Sequence, residues 1–258
     1  EDLVDARELA KGRTAILSKI EKPSAVERFD DILNASDGIM VARGDLGVEL
    51  PVQNVPPIQK RLVRKCRAAA KPVIVATQML ESMIESPMPT RAEVSDVATA
   101  IYEGSDAVML SAESAAGSFP IEAVTTMNNV AVEVESDPTY RTIMETSRTA
   151  QRTSVADGIV SAAREIAETT DIKAICCYTQ SGTTALLTAR ERPRVPIIAM
   201  TSETNTARRL ALTWGTNCVM SGSKDRFKEA VVSAVRAALS EGYATQNDQI
   251  VITAGVPF

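Results

Sequence analysis

The sequence contains no histidine. Without histidine the chain cannot carry a Ser-His-Asp or Cys-His catalytic group, a histidine metal site or a histidine pH switch. Any chemistry within it therefore depends on Lys, Asp, Glu, Ser, Thr or Cys side chains, or on a bound metal ion.

Long apolar runs are also absent. No stretch approaches the roughly 18 apolar residues of a membrane span, and no charged-then-apolar secretory leader is recognisable. The net charge of −5 argues against a protein that binds nucleic acid by neutralising phosphates. With 45% hydrophobic and 24% charged residues, we expect a globular cytoplasmic protein with neither nucleic acid nor membrane among its partners.

Cysteines are few and show no CxxC spacing. The four are Cys66, Cys176, Cys177 and Cys218. The adjacent pair lies inside an apolar run, so we predict reduced cysteines that pack in the core.

Apolar runs of strand length alternate with helix-length segments in the first half of the chain. The predicted strands span 14–20, 38–43, 72–77 and 107–111, and the predicted helices include 55–70 and 91–103. Continuous hydrophobic strands are typical of parallel sheets buried on both faces, in a barrel or a doubly wound sheet. Polar residues follow all four strands, which favours the rim of a (β/α)8 barrel. Four strands make half of such a barrel.

A second alternation follows a break at Ser136-Asp137-Pro138, where we place the domain boundary. The predicted domains are 1–136, which ends in a helix over 120–135, and 137–258. Predicted helices in the second domain span 154–169, 182–191, 203–213 and 224–240, and predicted strands span 173–178, 195–200, 216–220 and 249–253. Ser154 followed by Asp157 is typical of a helix N-cap. We expect a small Rossmann-like α/β domain.

Charged side chains at the first two strand ends indicate a candidate metal site. Lys19 and Glu21 are two residues apart, so a strand points both to the same side. Asp45 follows the next strand. Two such carboxylates suit Mg²⁺, and a nearby lysine suits a phosphoryl group or an enolate. The alternative is a structural Lys-Glu ion pair.

Backbone and hydroxyl groups near these strand ends are candidate binders of a carboxylate. Gly44 in Arg43-Gly44-Asp45 allows close backbone approach, so exposed N–H groups there could bind an anion. The alternative is a plain turn from strand to loop. Thr77, after the third strand, could donate a hydrogen bond to the same ligand. We expect the methionines that follow it to pack in the core.

The loop from Thr179 to Thr184 is a candidate phosphate site. It joins a strand to a helix and contains Thr179, Gln180, Ser181, Gly182, Thr183 and Thr184. Hydroxyls at a helix N-terminus suit phosphate, although the lysine of a Walker A loop is missing. The alternative is ordinary helix capping.

Taken together, these segments resemble the pyruvate kinase family. The matching segments are 15–22 (AILSKIEK), 38–49 (GIMVARGDLGVE), 76–83 (ATQMLESM), 109–117 (MLSAESAAG) and 252–258 (ITAGVPF). Ala112 and Ser114 stand where the family usually has Gly and Thr. The likeness covers essentially the whole chain.

The resemblance implies phosphoryl transfer from phosphoenolpyruvate to ADP, giving pyruvate and ATP. Lys19 would stabilise the phosphoryl group and the enolate, and Glu21 and Asp45 would hold Mg²⁺ or Mn²⁺. The backbone of Gly44 and Asp45, with the Thr77 hydroxyl, would bind the substrate carboxylate.

The resemblance also implies more peripheral roles. Ser111 and Glu113 would lie near the waters that protonate the enolate. In the second domain Thr179, Ser181, Gly182, Thr183 and Thr184 would bind the phosphate of an allosteric effector. K⁺ is a further candidate cofactor, and the family implies a homo-oligomer, typically a tetramer.

Parts of the family pattern are missing from this sequence. The first four barrel strands, the inserted lid domain and the glycine-rich end of the effector loop do not occur, and the chain begins with Glu1 rather than Met. We therefore expect a piece of a longer enzyme, with two unpaired sheet edges, that is catalytically inactive alone.

Two other functions remain open. Another phosphoenolpyruvate or pyruvate barrel, such as an aldolase or a mutase, also places Glu and Asp around Mg²⁺ at strand ends. The second domain could instead act as a non-catalytic module that binds a sugar phosphate.

Overall fold

A computed structural model describes residues 2–148, 154–222 and 227–255. The chain divides into two compact units, Glu1–Arg148 and Thr149–Phe258. None of the described helices combines the length and hydropathy that a bilayer-spanning segment needs.

The first unit alternates short strands and helices. In chain order its elements are α1 (Asp2–Ala10), β1 (Leu17–Ile20), α2 (Pro23–Glu27), α3 (Phe29–Ala35), β2 (Gly38–Ala42), α4 (Arg43–Glu49), α5 (Val55–Ala68), β3 (Val73–Ala76), α6 (Arg91–Tyr102), β4 (Ala107–Met109), α7 (Ala112–Ala115), α8 (Pro120–Ser136) and α9 (Pro138–Thr146). Two 3-10 helices span Val52–Asn54 and Glu81–Ile84. All four predicted strands and the three predicted long helices are present, with the strands shorter than predicted.

The four strands form one parallel sheet in the order β1-β2-β3-β4. Side chains on one face, such as Val41 and Val75, are 0% exposed. The opposite face is only partly covered, because Leu17 is 37% exposed and Met40 and Met109 are half-buried. The sequence predicts that both faces of the sheet are buried. The structure shows full burial for one face and partial burial for the other.

The same Ser-Asp pair precedes β2 and β4. Asp37 accepts a hydrogen bond from the N–H of Ile16 at 2.8 Å, and its own N–H donates to the Ile16 carbonyl at 2.9 Å. Asp106 makes the same two contacts with Val73, at 3.0 and 2.9 Å. Matching backbone and carboxylate hydrogen bonds thus join β1 to β2 and β3 to β4 at their amino ends, opposite the candidate site.

The segment after β2, for which a plain turn is the alternative interpretation, is the first turn of α4. Arg43 is the first residue of this helix, and its last turn leads to the C-cap Leu50. Leu46 is 0% exposed. Burial of this leucine against the unit favours a helix despite the low helix propensity of the two glycines in the segment.

A further helix extends the first unit past the predicted boundary at residue 136. Asp137 ends α8 and begins α9, where its carboxylate accepts the Thr139 N–H at 2.6 Å. Pro138 lies at a position where a helix tolerates it. Tyr140 and Met144 are buried, so the residues after Ser136-Asp137-Pro138 pack into the first unit, which ends at Arg148.

The second unit contains a second parallel sheet. Its elements are α10 (Val155–Thr169), β5 (Ile172–Tyr178), α11 (Thr183–Arg190), β6 (Ile197–Thr201), α12 (Thr204–Leu210), β7 (Thr216–Met220), α13 (Phe227–Ser240) and β8 (Gln249–Ala254). The strand order is β7-β6-β5-β8, which matches the beginning of a doubly wound sheet. The predicted start of the last helix at 224, and residues 256–258 of the last matching segment, lie outside the described residues.

Helices cover both faces of this second sheet. Cys177 packs in one apolar cluster and its neighbour Cys176 in the other, because successive strand residues point to opposite faces. All four cysteines are free thiols, as predicted, although Cys218 is only half-buried. The predicted N-cap is also confirmed, since Ser154 and Asp157 form a capping box.

Candidate functional site

A lysine between two carboxylates lies at the carboxyl end of β1. The Lys19 Nζ is 2.5 Å from Glu21 Oε2 and 2.8 Å from Asp45 Oδ2. Glu21 directly follows β1, while Asp45 lies in the first turn of α4. The predicted same-side placement of Lys19 and Glu21 is confirmed, and the second strand end contributes Asp45 as expected.

The charges of this cluster stabilise one another. The hydrogen bond to Asp45, followed by the one to Glu21, raises the pKa of Lys19 above its ordinary value. The same contact with Lys19 lowers the pKa of Asp45. About half of each of these two side chains is exposed, so the Lys19 ammonium and the Asp45 carboxylate are charged and accessible at neutral pH.

The donor set of this cluster fits a magnesium ion. Both carboxylates reach the same ammonium atom, so their oxygens converge on a small volume. Mg²⁺ needs one or two protein carboxylates and takes its other ligands from water and substrate oxygens. The described residues hold no group of three or more acidic, cysteine or histidine side chains arranged for a metal, so a metal at this pair of carboxylates would take its remaining ligands from water and substrate.

The Thr77 hydroxyl and the Gly44 N–H are already partners in the structure. Gly44 donates to Thr77 Oγ1 at 2.7 Å, and this hydroxyl donates to the Ala76 carbonyl at 2.6 Å. The end of β3 is therefore joined to the first turn of α4, next to Asp45. The structure thus brings together the groups that the sequence indicated for binding a carboxylate.

Two successive residues after β3 have left-handed backbone conformations. Thr77 has φ of +71° and Gln78 has φ of +54°. A β-branched residue is a clear outlier in this region, and each such residue costs about 1–3 kcal/mol. Strain of this kind persists only where surrounding contacts hold it, and it concentrates at functional sites.

One guanidinium group lies beneath this strained turn. Arg43 Nη2 donates to the Thr77 carbonyl at 2.7 Å and to the Gln78 carbonyl at 3.3 Å. Its Nη1 contacts both carboxylate oxygens of Asp96, at 2.6 and 2.7 Å. The Arg43 side chain is only 10% exposed.

Ser111 and Glu113 form a separate set of contacts at the other edge of the sheet, after β4. The Glu113 carboxylate accepts the Ser111 N–H at 2.7 Å and the Leu80 N–H at 3.3 Å. Glu113 is 2% exposed, whereas Ser111 is exposed. Glu113 thus links the loop after β3 to the loop after β4 through hydrogen bonds, while Ser111 faces solvent. Met79 and Met83 are fully buried, as predicted.

The candidate phosphate loop of the second unit begins α11. Gly182 is the N-cap, with φ of +90° and no side-chain cap. Its N–H donates to Thr179 Oγ1 at 2.9 Å, and the hydroxyls of Ser181 and Thr183 are 2.9 Å apart. Thr184 occupies the first turn of the helix. The loop follows β5, which pairs with both β6 and β8, and ligands of doubly wound sheets bind at such a point.

Family models match both units of the chain. The model described as "Pyruvate kinase, barrel domain" matches residues 1–124, and "Pyruvate kinase, alpha/beta domain" matches residues 157–258. The chain belongs to the pyruvate kinase family.

Pyruvate kinases of other organisms are similar over the whole chain. Those of Methylorubrum extorquens and Agrobacterium vitis are 50% and 49% identical over 258 and 257 residues, which is 100% of this chain and 54% of each relative. A crystal structure of a pyruvate kinase from Cryptosporidium parvum superposes with a TM-score of 0.89 at 40% identity. It covers 94% of this chain and 49% of the solved one. The chain thus spans about half the length of these relatives.

The contacts of Arg43 were missed by reasoning from the sequence. Arg43 lies inside a matching segment, but the sequence pattern points to its neighbours Gly44 and Asp45. Asp96 is distant in sequence and stands on α6 among other polar residues. No local pattern could have paired the two, nor shown that Thr77 and Gln78 are left-handed.

Proposed function

We propose that this chain is the second half of a pyruvate kinase catalytic barrel together with the C-terminal α/β domain. The cluster of Lys19, Glu21 and Asp45 beside the Gly44–Thr77 pair carries the proposal. It brings together at one strand rim a cation, two carboxylates that would hold a metal and two groups that would bind a carboxylate.

The uneven burial of the first sheet supports the half-barrel. Lys19 and Met40 are paired across β1 and β2, so they point to the same side as Leu17. This is the partly covered face. In a closed barrel it would be the packed interior, filled by side chains from further strands.

The reaction would be phosphoryl transfer from phosphoenolpyruvate to ADP. The bond between phosphorus and the enol oxygen breaks, and a bond from phosphorus to a β-phosphate oxygen of ADP forms. The Lys19 ammonium offsets the negative charge on the phosphoryl group and on the enolate left behind. Mg²⁺ held by Glu21 and Asp45 would supply further positive charge to these oxygens. A proton delivered through water near Ser111 then gives pyruvate.

The substrate carboxylate would bind at the first turn of α4. There the Gly44 and Asp45 N–H groups lie at a helix N-terminus, which favours an anion. On binding, the carboxylate would exchange the hydrogen bond between Gly44 and Thr77 for bonds to both groups. Glu113 would act by holding the neighbouring loops in place.

An assay of two polypeptides tests this proposal. The isolated chain should form no pyruvate, because half of the barrel is missing. A chimera in which this chain replaces the aligned half of the Methylorubrum extorquens enzyme should be active. In that chimera Lys19→Met should lower kcat about 10²- to 10³-fold.

The matched control is Lys65→Met, which removes another exposed lysine that pairs with an aspartate, Asp30. Its kcat should stay at the wild-type level. Robust turnover by the isolated chain would contradict the half-barrel. A folded but inactive chimera, or equal effects of the two substitutions, would contradict the catalytic proposal.

The second unit supports a further function, the binding of a phosphorylated effector. The uncapped start of α11 at the switch point between β5 and β8 favours it, with Thr179, Ser181, Gly182, Thr183 and Thr184 as the binding residues. Titration of the chain with fructose bisphosphate by calorimetry should show binding that Ser181→Ala weakens. Binding that is unchanged by Ser181→Ala would contradict this assignment. A tetramer, a K⁺ requirement and a cytoplasmic location remain predictions from the family.

A further inference from the structure

Three consecutive carbonyl groups at the end of β3 converge on the Arg43 guanidinium. Besides the contacts of Nη2 with Thr77 and Gln78, Nε donates to the Ala76 carbonyl at 3.4 Å. Because the left-handed residues Thr77 and Gln78 turn their carbonyls away from the strand ladder, these two oxygens need another donor. A planar fork of N–H groups can serve all three at once.

Asp96 fixes the guanidinium from the opposite side. Both of its oxygens contact Nη1, and this charge-assisted contact leaves Nη2 and Nε for the carbonyls of the turn. The Arg43 guanidinium is thus bound by Asp96 of α6 on one side and binds the Thr77–Gln78 turn on the other. The side chain has little exposure to water.

The Thr77–Gln78 turn also determines where the Thr77 hydroxyl lies. A right-handed backbone at Thr77 would move Oγ1 away from Gly44, whose N–H it now accepts at 2.7 Å. Arg43 also begins α4, so the same residue fixes both partners of this hydrogen bond, one through its backbone and the other through its side chain.

We propose that Arg43, oriented by Asp96, is a positioning residue that holds the Thr77–Gln78 turn in its left-handed form and so places the Thr77 hydroxyl and the Gly44 N–H to bind the substrate carboxylate. This inference rests on the proposed function for the identity of the ligand. The structural part of it, that the guanidinium holds the turn, can be measured in the absence of any ligand.

The first test uses the 258-residue chain itself. Arg43→Lys keeps the positive charge but cannot serve three carbonyls and a carboxylate together. Amide hydrogen exchange at Gly44 and in the 77–79 segment should accelerate about tenfold or more, while β2 and β3 keep their protection. Asp96→Asn should give a smaller acceleration at the same amides.

A matched control is Arg28→Lys, which alters an exposed pair with Asp31 at 3.0 Å. Exchange at Gly44 should stay as in the wild type. Unchanged Gly44 exchange in Arg43→Lys, or a general loss of protection across the sheet, would overturn the proposal.

The second test uses the catalytic chimera and asks whether Arg43 acts through Thr77. Arg43→Lys should raise KM for phosphoenolpyruvate about 10- to 100-fold, with KM for ADP unchanged. In the Thr77→Val background, which lacks the hydroxyl, Arg43→Lys should have little further effect, because the two residues act as one unit.

The outcomes separate this inference from the function it rests on. Additive effects of Arg43→Lys and Thr77→Val on KM would overturn the positioning role while leaving the kinase intact. An inactive wild-type chimera would contradict phosphoenolpyruvate as the substrate. Faster Gly44 exchange in Arg43→Lys would still support the claim that the guanidinium holds the Thr77–Gln78 turn.

Discussion

At the scale of single residues, a buried ion pair links α10 and α11. Arg190 Nη2 is 2.8 Å from Asp157 Oδ1 and 3.1 Å from Glu191, and all three side chains are less than 10% exposed. Asp157 also accepts the Ser154 hydroxyl in the capping box. Each buried charge therefore has a partner, and loss of one would leave the others uncompensated.

The pH dependence of stability should reveal this pair. The hydrogen bond from Ser154, followed by the one from Arg190, holds the pKa of Asp157 below its ordinary value. Its contribution to stability is thus complete above the unfolded pKa of about 4 and is lost as pH falls further. Urea unfolding followed by the fluorescence of Trp214, the single tryptophan, should show falling stability below about pH 4.

In Asp157→Asn this acid decline should be shallower, with lower stability at neutral pH. The matched control is Asp171→Asn, because Asp171 pairs with Lys173 but is 89% exposed. It should retain the wild-type pH profile. Equal acid slopes in Asp157→Asn and the wild type would contradict the assignment.

Residue roles could be predicted where partners are close in sequence. Ser154 and Asp157 are three positions apart, and Lys19 and Glu21 two apart, so local geometry brings each pair together. Arg43 with Asp96, and Arg190 with Asp157, are joined only by the completed fold. Reasoning from one sequence has no means of pairing them.

At the scale of elements, the junction before β4 should contribute measurably to stability. Asp106→Ala leaves the Val73 N–H without its carboxylate acceptor, which should lower the free energy of unfolding by about 1–3 kcal/mol. Urea unfolding followed by circular dichroism measures this loss. Asp106→Asn retains an acceptor oxygen and should lose less. Equal losses in the two variants would show that the hydrogen bond is not the cause.

The packing of α9 gives a second prediction at this scale. Met144 is 1% exposed, so Met144→Ala should destabilise the first unit by about 2–5 kcal/mol. The control Thr142→Ala changes an exposed residue of the same helix, and its unfolding curve should match the wild type. A linker after residue 136 would instead predict no effect of Met144→Ala in denaturant unfolding.

Long helices were predictable, whereas several short helices of the first unit were not. Helices such as α6 and α10 show the 3.6-residue spacing of apolar positions over several turns. The helices α2, α3, α4 and α7 have only 4 to 7 residues, too few for a period to stand out. In α4 the glycines are also compatible with a turn, and burial of Leu46 within the fold favours the helix.

At the scale of the whole chain, one face of the first sheet lacks part of its cover. The sequence predicts strands buried on both sides. The partly covered face does carry apolar residues such as Leu17 and Met40, which are typical of a buried surface. The alternation of strands and helices could be predicted from the chain alone. The residues that would pack on this face could not be predicted, because in the proposed half-barrel they belong to further strands.

An isolated chain with such a face and an edge strand should self-associate. Sedimentation at increasing protein concentration should show larger species, and Leu17→Lys should reduce them by placing a charge on the edge strand β1. The control Leu9→Lys alters an apolar residue on α1 that is 75% exposed, and it should leave association unchanged. A chain that stays monomeric throughout would contradict the prediction.

The Asp37 junction also determines which way the catalytic lysine candidate points. Because strand side chains alternate, a slip of one residue between β1 and β2 would turn Lys19 from the ligand side to the helix side. The paired bonds between Asp37 and Ile16 fix that register at the far end of the strand. The geometry of the proposed phosphoryl-transfer site thus depends on a carboxylate at the opposite end of the strand.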